Sequence, residues 1–135
     1  MKYKIMIAVI GLCILGSCAP SANSHLEDHL TAYNWRIIFL KHTNIDQTNQ
    51  FTPYIFNFES KNTIIATKVD STFQGTWARS NNSQENPKVL LSFGSHYELS
   101  LLNYDWLQKS RTDFIIELVD EMRTSGSESV TFERI

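Results

Sequence analysis

The 135-residue chain has room for one domain, and its 42% hydrophobic content can build a core, which excludes a wholly disordered chain. A formal charge of −2 gives no electrostatic reason to bind nucleic acid. Both cysteines, Cys13 and Cys18, fall in the first 18 residues, so the body offers no disulfide and no thiolate zinc site.

In chain order, Lys2 and Lys4 precede an apolar run from Ile5 to Leu15. As a helix this run spans roughly 16 Å, about half a bilayer core, which suits a signal peptide better than a membrane-crossing helix. Leu15-Gly16-Ser17 then leads into Cys18. This resembles the lipobox of bacterial lipoproteins, which implies cleavage before Cys18 and acylation of its sulfur and its new amino group. Two or more acyl chains anchor stably where one anchors marginally. The alternative is an ordinary secretory signal cleaved near Ala19 or Ala22. Residues 1–17 are thus expected as signal peptide, 18–29 as lipidated N-terminus and flexible tether, and 30–135 as the folded domain. His25 and His29 are four apart, but no third ligand accompanies them, so no metal site is expected.

From Leu30 onward, short apolar and aromatic runs alternate with polar breaks. Strands are expected at Tyr33–Lys41, Thr52–Glu59, Thr63–Asp70, Thr72–Ser80, Lys88–Gly94, Asp105–Arg111, Asp113–Asp120 and Ser129–Ile135. Ser60-Lys61-Asn62 reads as a tight turn. His96–Tyr104 is the exception: Tyr97, Leu101 and Tyr104 recur at helical spacing and predict one short helical turn. Eight consecutive strands with short turns favour an antiparallel meander, and closing it into a barrel removes the exposed edges. Periodicity alone leaves a sandwich open.

The ordered set of Leu30 and Trp35, "YIFNF", "GTW" at Gly75–Trp77, "LLSF" at Leu90–Phe93, "LNYDW" at Leu102–Trp106, "FIIEL" at Phe114–Leu118 and "VTFERI" resembles the small lipocalin-like lipoproteins of Bacteroidetes-type bacteria. The resemblance implies an all-β fold, an antiparallel up-and-down eight-stranded lipocalin-like (calycin) barrel. It departs from the pattern at Tyr33-Asn34, where a glycine usually precedes the tryptophan, and at Asn62, where the hairpin usually has glycine. Asparagine tolerates positive φ, so the second departure is mild. The resemblance also implies a barrel-end pair in which Arg134 covers Trp35. The other reading of Arg134 is a surface arginine.

A nucleophile elbow, a phosphate-binding glycine loop and a metal triad are not seen in the sequence. Ser95 and His96 are adjacent without an orienting acid, which reads as a loop. Asp105 before Trp106 reads as a residue that caps backbone donors. Asp113, Glu117 and Asp120 read as an edge or solvent face, and Asn81-Asn82-Ser83 as a sequon of little weight in a bacterial lipoprotein. The chain is therefore expected not to be an enzyme and to need no cofactor.

Two functions remain. One is non-catalytic binding of a small apolar ligand, with Trp35, Phe39, Phe56, Phe58, Trp77, Leu91, Phe93 and Trp106 as cavity-lining or core residues. The other is an interaction module with a filled barrel that presents the loops at 42–51, 81–87 and 121–128 to a protein or glycan. In both, the membrane is a partner through the lipidated cysteine and the chain resides in the cell envelope.

Overall fold

The computed structural model describes residues 25–120 and 128–135. Cys18, the signal segment and most of the 121–128 loop lie outside the described residues. Eight strands form a closed antiparallel barrel: β1 (Asn34–His42), β3 (Ile55–Phe58), β4 (Thr63–Lys68), β5 (Ser71–Arg79), β6 (Lys88–Ser92), β7 (Asp105–Arg111), β8 (Ile115–Asp120) and β9 (Ser129–Arg134). Each pairs with the next, and β9 returns to pair with β1. A ninth strand, β2 (Ile45–Asp46), extends β1 at its far end. All eight expected barrel strands are present.

Period-two alternation fixes the inward face. In β3, Phe56 and Phe58 are buried while Ile55 and Asn57 are exposed, and in β9 Val130 and Phe132 point inward. The hairpin between β3 and β4 turns at Asn62, whose φ is +63°, as its turn chemistry predicts. Gly75 lets the barrel wall close tightly, because a Cβ there would sit 2.5 Å from the Ser92 carbonyl oxygen and 2.7 Å from the Phe93 ring.

The two ends of the barrel are built differently. The base gathers the start of β1, the turn after β3, residues 81–87 and the turn between β7 and β8. The mouth gathers the end of β1, β2, the turn between β4 and β5, and residues 93–104. Across the base lies α1 (Leu26–Ala32), which buries Leu26, His29 and Leu30. Positions i, i+3 and i+4 share one helix face, so this helix of about two turns docks as a plug. Residues 26–29, expected as part of the tether, belong to α1. The sequence signal for this helix is the apolar pair Leu26 and Leu30 at i, i+4, with Glu27 and Asp28 between them in its first turn. At the mouth, α2 (Thr48–Phe51) buries Phe51, and a 3₁₀ turn at Leu99–Leu102 buries Leu99 and Leu102. The helical turn expected near here is shorter than the spacing of Tyr97, Leu101 and Tyr104 suggests. Bonds of the i to i+3 type (Leu101 N–H to Glu98, Asn103 N–H to Ser100) wind it tightly. Tyr97 consequently stands 92% exposed.

Candidate functional site

Seven of the eight aromatic and aliphatic candidates fill the barrel. Trp35, Phe56, Phe58, Trp77, Leu91, Phe93 and Trp106 are all 6% exposed or less. Their rings interlock edge to face. Phe132 lies 5.6 Å from Phe56 and 6.0 Å from Phe58, Phe56 lies 6.3 Å from Phe93, and Phe58 lies 5.6 Å from Trp77. These side chains are core, packed on one another across the interior.

Phe39 is the exception, 38% exposed. The pairing of β1 with β9 skips a residue between Ile37 and Phe39, so Ile38 is an unpaired bulge. A bulge resets the alternation, and Leu40 takes the inward place that unbroken pleating would have given Phe39. The unbroken apolar run Ile37–Leu40 hides that reset from the sequence.

The barrel-end pair is also rearranged. Arg134 and Trp35 face each other in register, but the guanidinium stands 4.1 Å from the Tyr33 ring and 4.4 Å from the Phe114 ring. The indole is covered by α1 instead: its Nε1–H donates to the Leu30 carbonyl at 3.0 Å, and the His29 ring meets it edge-on at 5.2 Å.

His25 and His29 do not share a site. The His29 Nε2 bonds the Asp113 carbonyl at 3.0 Å, and His25 is exposed. No group of three or more metal-ligating side chains occurs among the described residues. Asp105 accepts from the Ser80 hydroxyl at 2.6 Å. His96 accepts the Leu99 N–H at Nδ1, 3.1 Å away, which uses the imidazole as a cap for the 3₁₀ turn. Asp120, expected on a solvent face, is 5% exposed.

A concave feature among the described residues lies at the mouth, outside the ring network of the interior. A cleft of about 480 Å³ opens between the turn joining β4 to β5 and the segment before the 3₁₀ turn. Phe73, Tyr54 and Tyr97 give it aromatic walls, and Lys68, His96 and Glu98 supply polar groups. Phe73 and His96 meet edge-on at 4.3 Å. The Tyr54 hydroxyl donates to Glu98 Oε2 at 2.5 Å, and Lys68 Nζ lies 3.6 Å from the same oxygen. Burial and this carboxylate push the Tyr54 hydroxyl up to about 12, so it stays a donor. The Tyr54 hydrogen bond holds Glu98 below the usual carboxylate range; burial opposes it, and the Lys68 ammonium adds to the lowering. The rim carries backbone strain: Val69, β-branched and 86% exposed, has φ +47°. From the sequence His96 reads as a loop residue and Tyr97 as part of a helical turn, neither as a site, and no motif marks this set, because side chains from separate stretches of chain converge here only through the barrel's closure.

Of the three loops expected to be presented to a partner, most of 121–128 lies outside the described residues and the other two lie at opposite ends of the barrel. Residues 42–51 lie at the mouth, whereas 81–87 lie at the base, where the Ser83 carbonyl accepts from Arg79, the partner of Glu27 in α1. Among the described residues no helix is long and apolar enough to cross a membrane. Compared with protein-family models, with curated proteins and with solved structures, the chain matches none.

Proposed function

We propose that the chain is a lipid-anchored cell-envelope lipoprotein, held by Cys18, whose lipocalin-like barrel binds a small, largely apolar molecule without catalysis. Binding takes place in the cleft at the mouth, not in the interior. The observation that carries this reading is the pairing of a filled core with an open cleft. Its volume falls within the roughly 300–1,000 Å³ typical of ligand sites. Three rings offer apolar contact, and the Tyr54–Glu98–Lys68 chain offers a fixed polar reference for one end of the ligand.

The test is native mass spectrometry of the processed protein, gently purified, followed by fatty acids and haem-like compounds as added probes. A bound mass lost on denaturation, and weakened about tenfold by Tyr97→Ala with Lys68→Ala, supports the cleft. A clean apo mass with every probe rejects it. The filled interior also favours a second reading, in which the barrel is a rigid module that presents its mouth to a protein or glycan partner. That reading predicts the clean apo mass.

A further inference from the structure

The base of the barrel carries an apolar cluster outside the core. Tyr33, where α1 ends, is 40% exposed; Phe114, in the turn between β7 and β8, is 56% exposed; Ile135, after β9, is 60% exposed. The cluster is contiguous. Arg134 lies between the Tyr33 and Phe114 rings, its N–H bonds the Phe114 carbonyl at 2.8 Å, and the Ile135 N–H bonds the Asn34 carbonyl at 3.0 Å. Two rings with an arginine among them are the side-chain chemistry of a bilayer interface, where rings sit at headgroup depth and a guanidinium reaches phosphate.

We infer that this face, Tyr33–Phe114–Arg134–Ile135, rests on the lipid surface, its arginine toward headgroup phosphates, so that the barrel stands base-down with its mouth away from the membrane. The inference rests on the proposed acylation of Cys18. The chain between that cysteine and α1 sets the geometry. Eight residues from Cys18 to Leu26 reach at most about 28 Å when fully extended. They enter α1, which lies on the base. For the mouth to face lipid, the same residues would have to run nearly taut along the barrel wall, because nine-residue β1, roughly 30 Å along its own axis, still covers about 23 Å of barrel height at a typical strand tilt. Base-down, the tether is slack and the apolar cluster meets the interface. The cleft of the proposed function then opens away from the membrane, toward water-borne ligand.

The test uses the processed lipoprotein in vesicles of phosphatidylethanolamine and phosphatidylglycerol. The body has no cysteine, and an acylated Cys18 has no free thiol, so one introduced cysteine takes an environment-sensitive dye. Asp113→Cys places the dye beside Phe114 and leaves the cluster whole; Tyr97→Cys places it at the mouth. Dye at 113 should be quenched by lipids brominated near the headgroup about threefold more than dye at 97, and Tyr33→Ser with Phe114→Ser should abolish that difference. Equal quenching at both sites in protein that floats with the vesicles overturns the base-down face and leaves the anchor standing. Protein that fails to float, with Cys18 open to maleimide, overturns the anchor and the docking face together. Greater quenching at 97 reverses the orientation.

Discussion

Each of the three tryptophans sends its indole N–H to a backbone carbonyl: Trp35 to Leu30, Trp77 to Glu59 and Trp106 to Leu102. A buried donor without an acceptor costs about 1–3 kcal/mol, so each ring ties the barrel to one of its end-closing segments. Trp35 holds α1 at the base and Trp106 holds the 3₁₀ turn at the mouth. Single atoms matter equally at Gly75. Ser92 backbone stands where a Cβ would go, and backbone cannot swing aside as a side chain does. Gly75→Ala should lower stability by about 1–3 kcal/mol, read from the midpoint of denaturant unfolding. Val69 is the opposite case. Its left-handed backbone disfavours a β-branched side chain by about 1–2 kcal/mol, and asparagine adopts that region far more readily. Val69→Asn should raise stability by about 1 kcal/mol, seen as a Tm higher by about 4–8 °C. If the strain helps shape the cleft rim, the same variant loses affinity for any cleft ligand.

At the scale of elements, the docking of α1 is tied to pH through His29. His29 bonds the Asp113 carbonyl through Nε2, which must therefore carry the proton, while Nδ1 faces the Arg111 guanidinium at 3.3 Å and must accept. The geometry requires a neutral ring. Burial lowers the His29 pKa below 6.5; Arg111 and Arg134 lower it further, and the Asp113 backbone bond and carboxylate oppose them. Because the folded pKa is the lower one, the unfolded chain binds the extra proton first. The stability this site provides is present above about pH 6.5 and is lost as pH falls through the folded value. His29→Gln keeps a donor for Asp113 and an acceptor for Arg111 but cannot titrate. Thermal melts from pH 7 to 5 should fall for the parent protein and flatten for the variant. At the other end, buried Glu128 accepts from the Thr43 N–H at 2.9 Å and pairs with His42, pinning the hairpin of β1 and β2. Glu128→Ala should cost about 1–3 kcal/mol and speed amide exchange at Thr43. The eight strands were legible in the sequence because their alternation and turn residues are local signals. What was not legible depended on the closed barrel. Leu26 and Leu30 form too short an apolar face to announce α1 before a barrel end exists to receive it. The polar stretch 42–51 conceals β2 and α2, because only Phe51 in it is buried. The cleft residues come from three separate stretches of chain and carry no common pattern.

For the whole molecule, the question is whether the barrel is a cup or a solid. A cup needs an inward surface that tolerates vacancy, whereas a solid barrel draws its stability from rings that fill it. Phe56 decides between them. It is fully buried, lies 5.6 Å from Phe132, 6.0 Å from Tyr54 and 6.3 Å from Phe93, and pairs in register with Trp35 on β1 and Ala66 on β4. In a solid barrel, Phe56→Ala removes the middle of this ring network and costs about 3–5 kcal/mol, a large share of the roughly 5–15 kcal/mol that holds a domain of this size together. The void left behind is lined by apolar groups, stays dry and takes up benzene or xenon. Denaturant unfolding with and without benzene checks both parts. The variant should recover part of its lost stability when benzene is present, by mass action on the native state, while the parent protein should not respond. A cup gives the reverse pattern. The parent protein would already be stabilised by benzene, and losing one ring from a wall that already faces space would cost less, because few contacts would be lost with it. The packing of Phe56 against three rings commits the barrel to the first pattern, and leaves no room for a ligand among those rings.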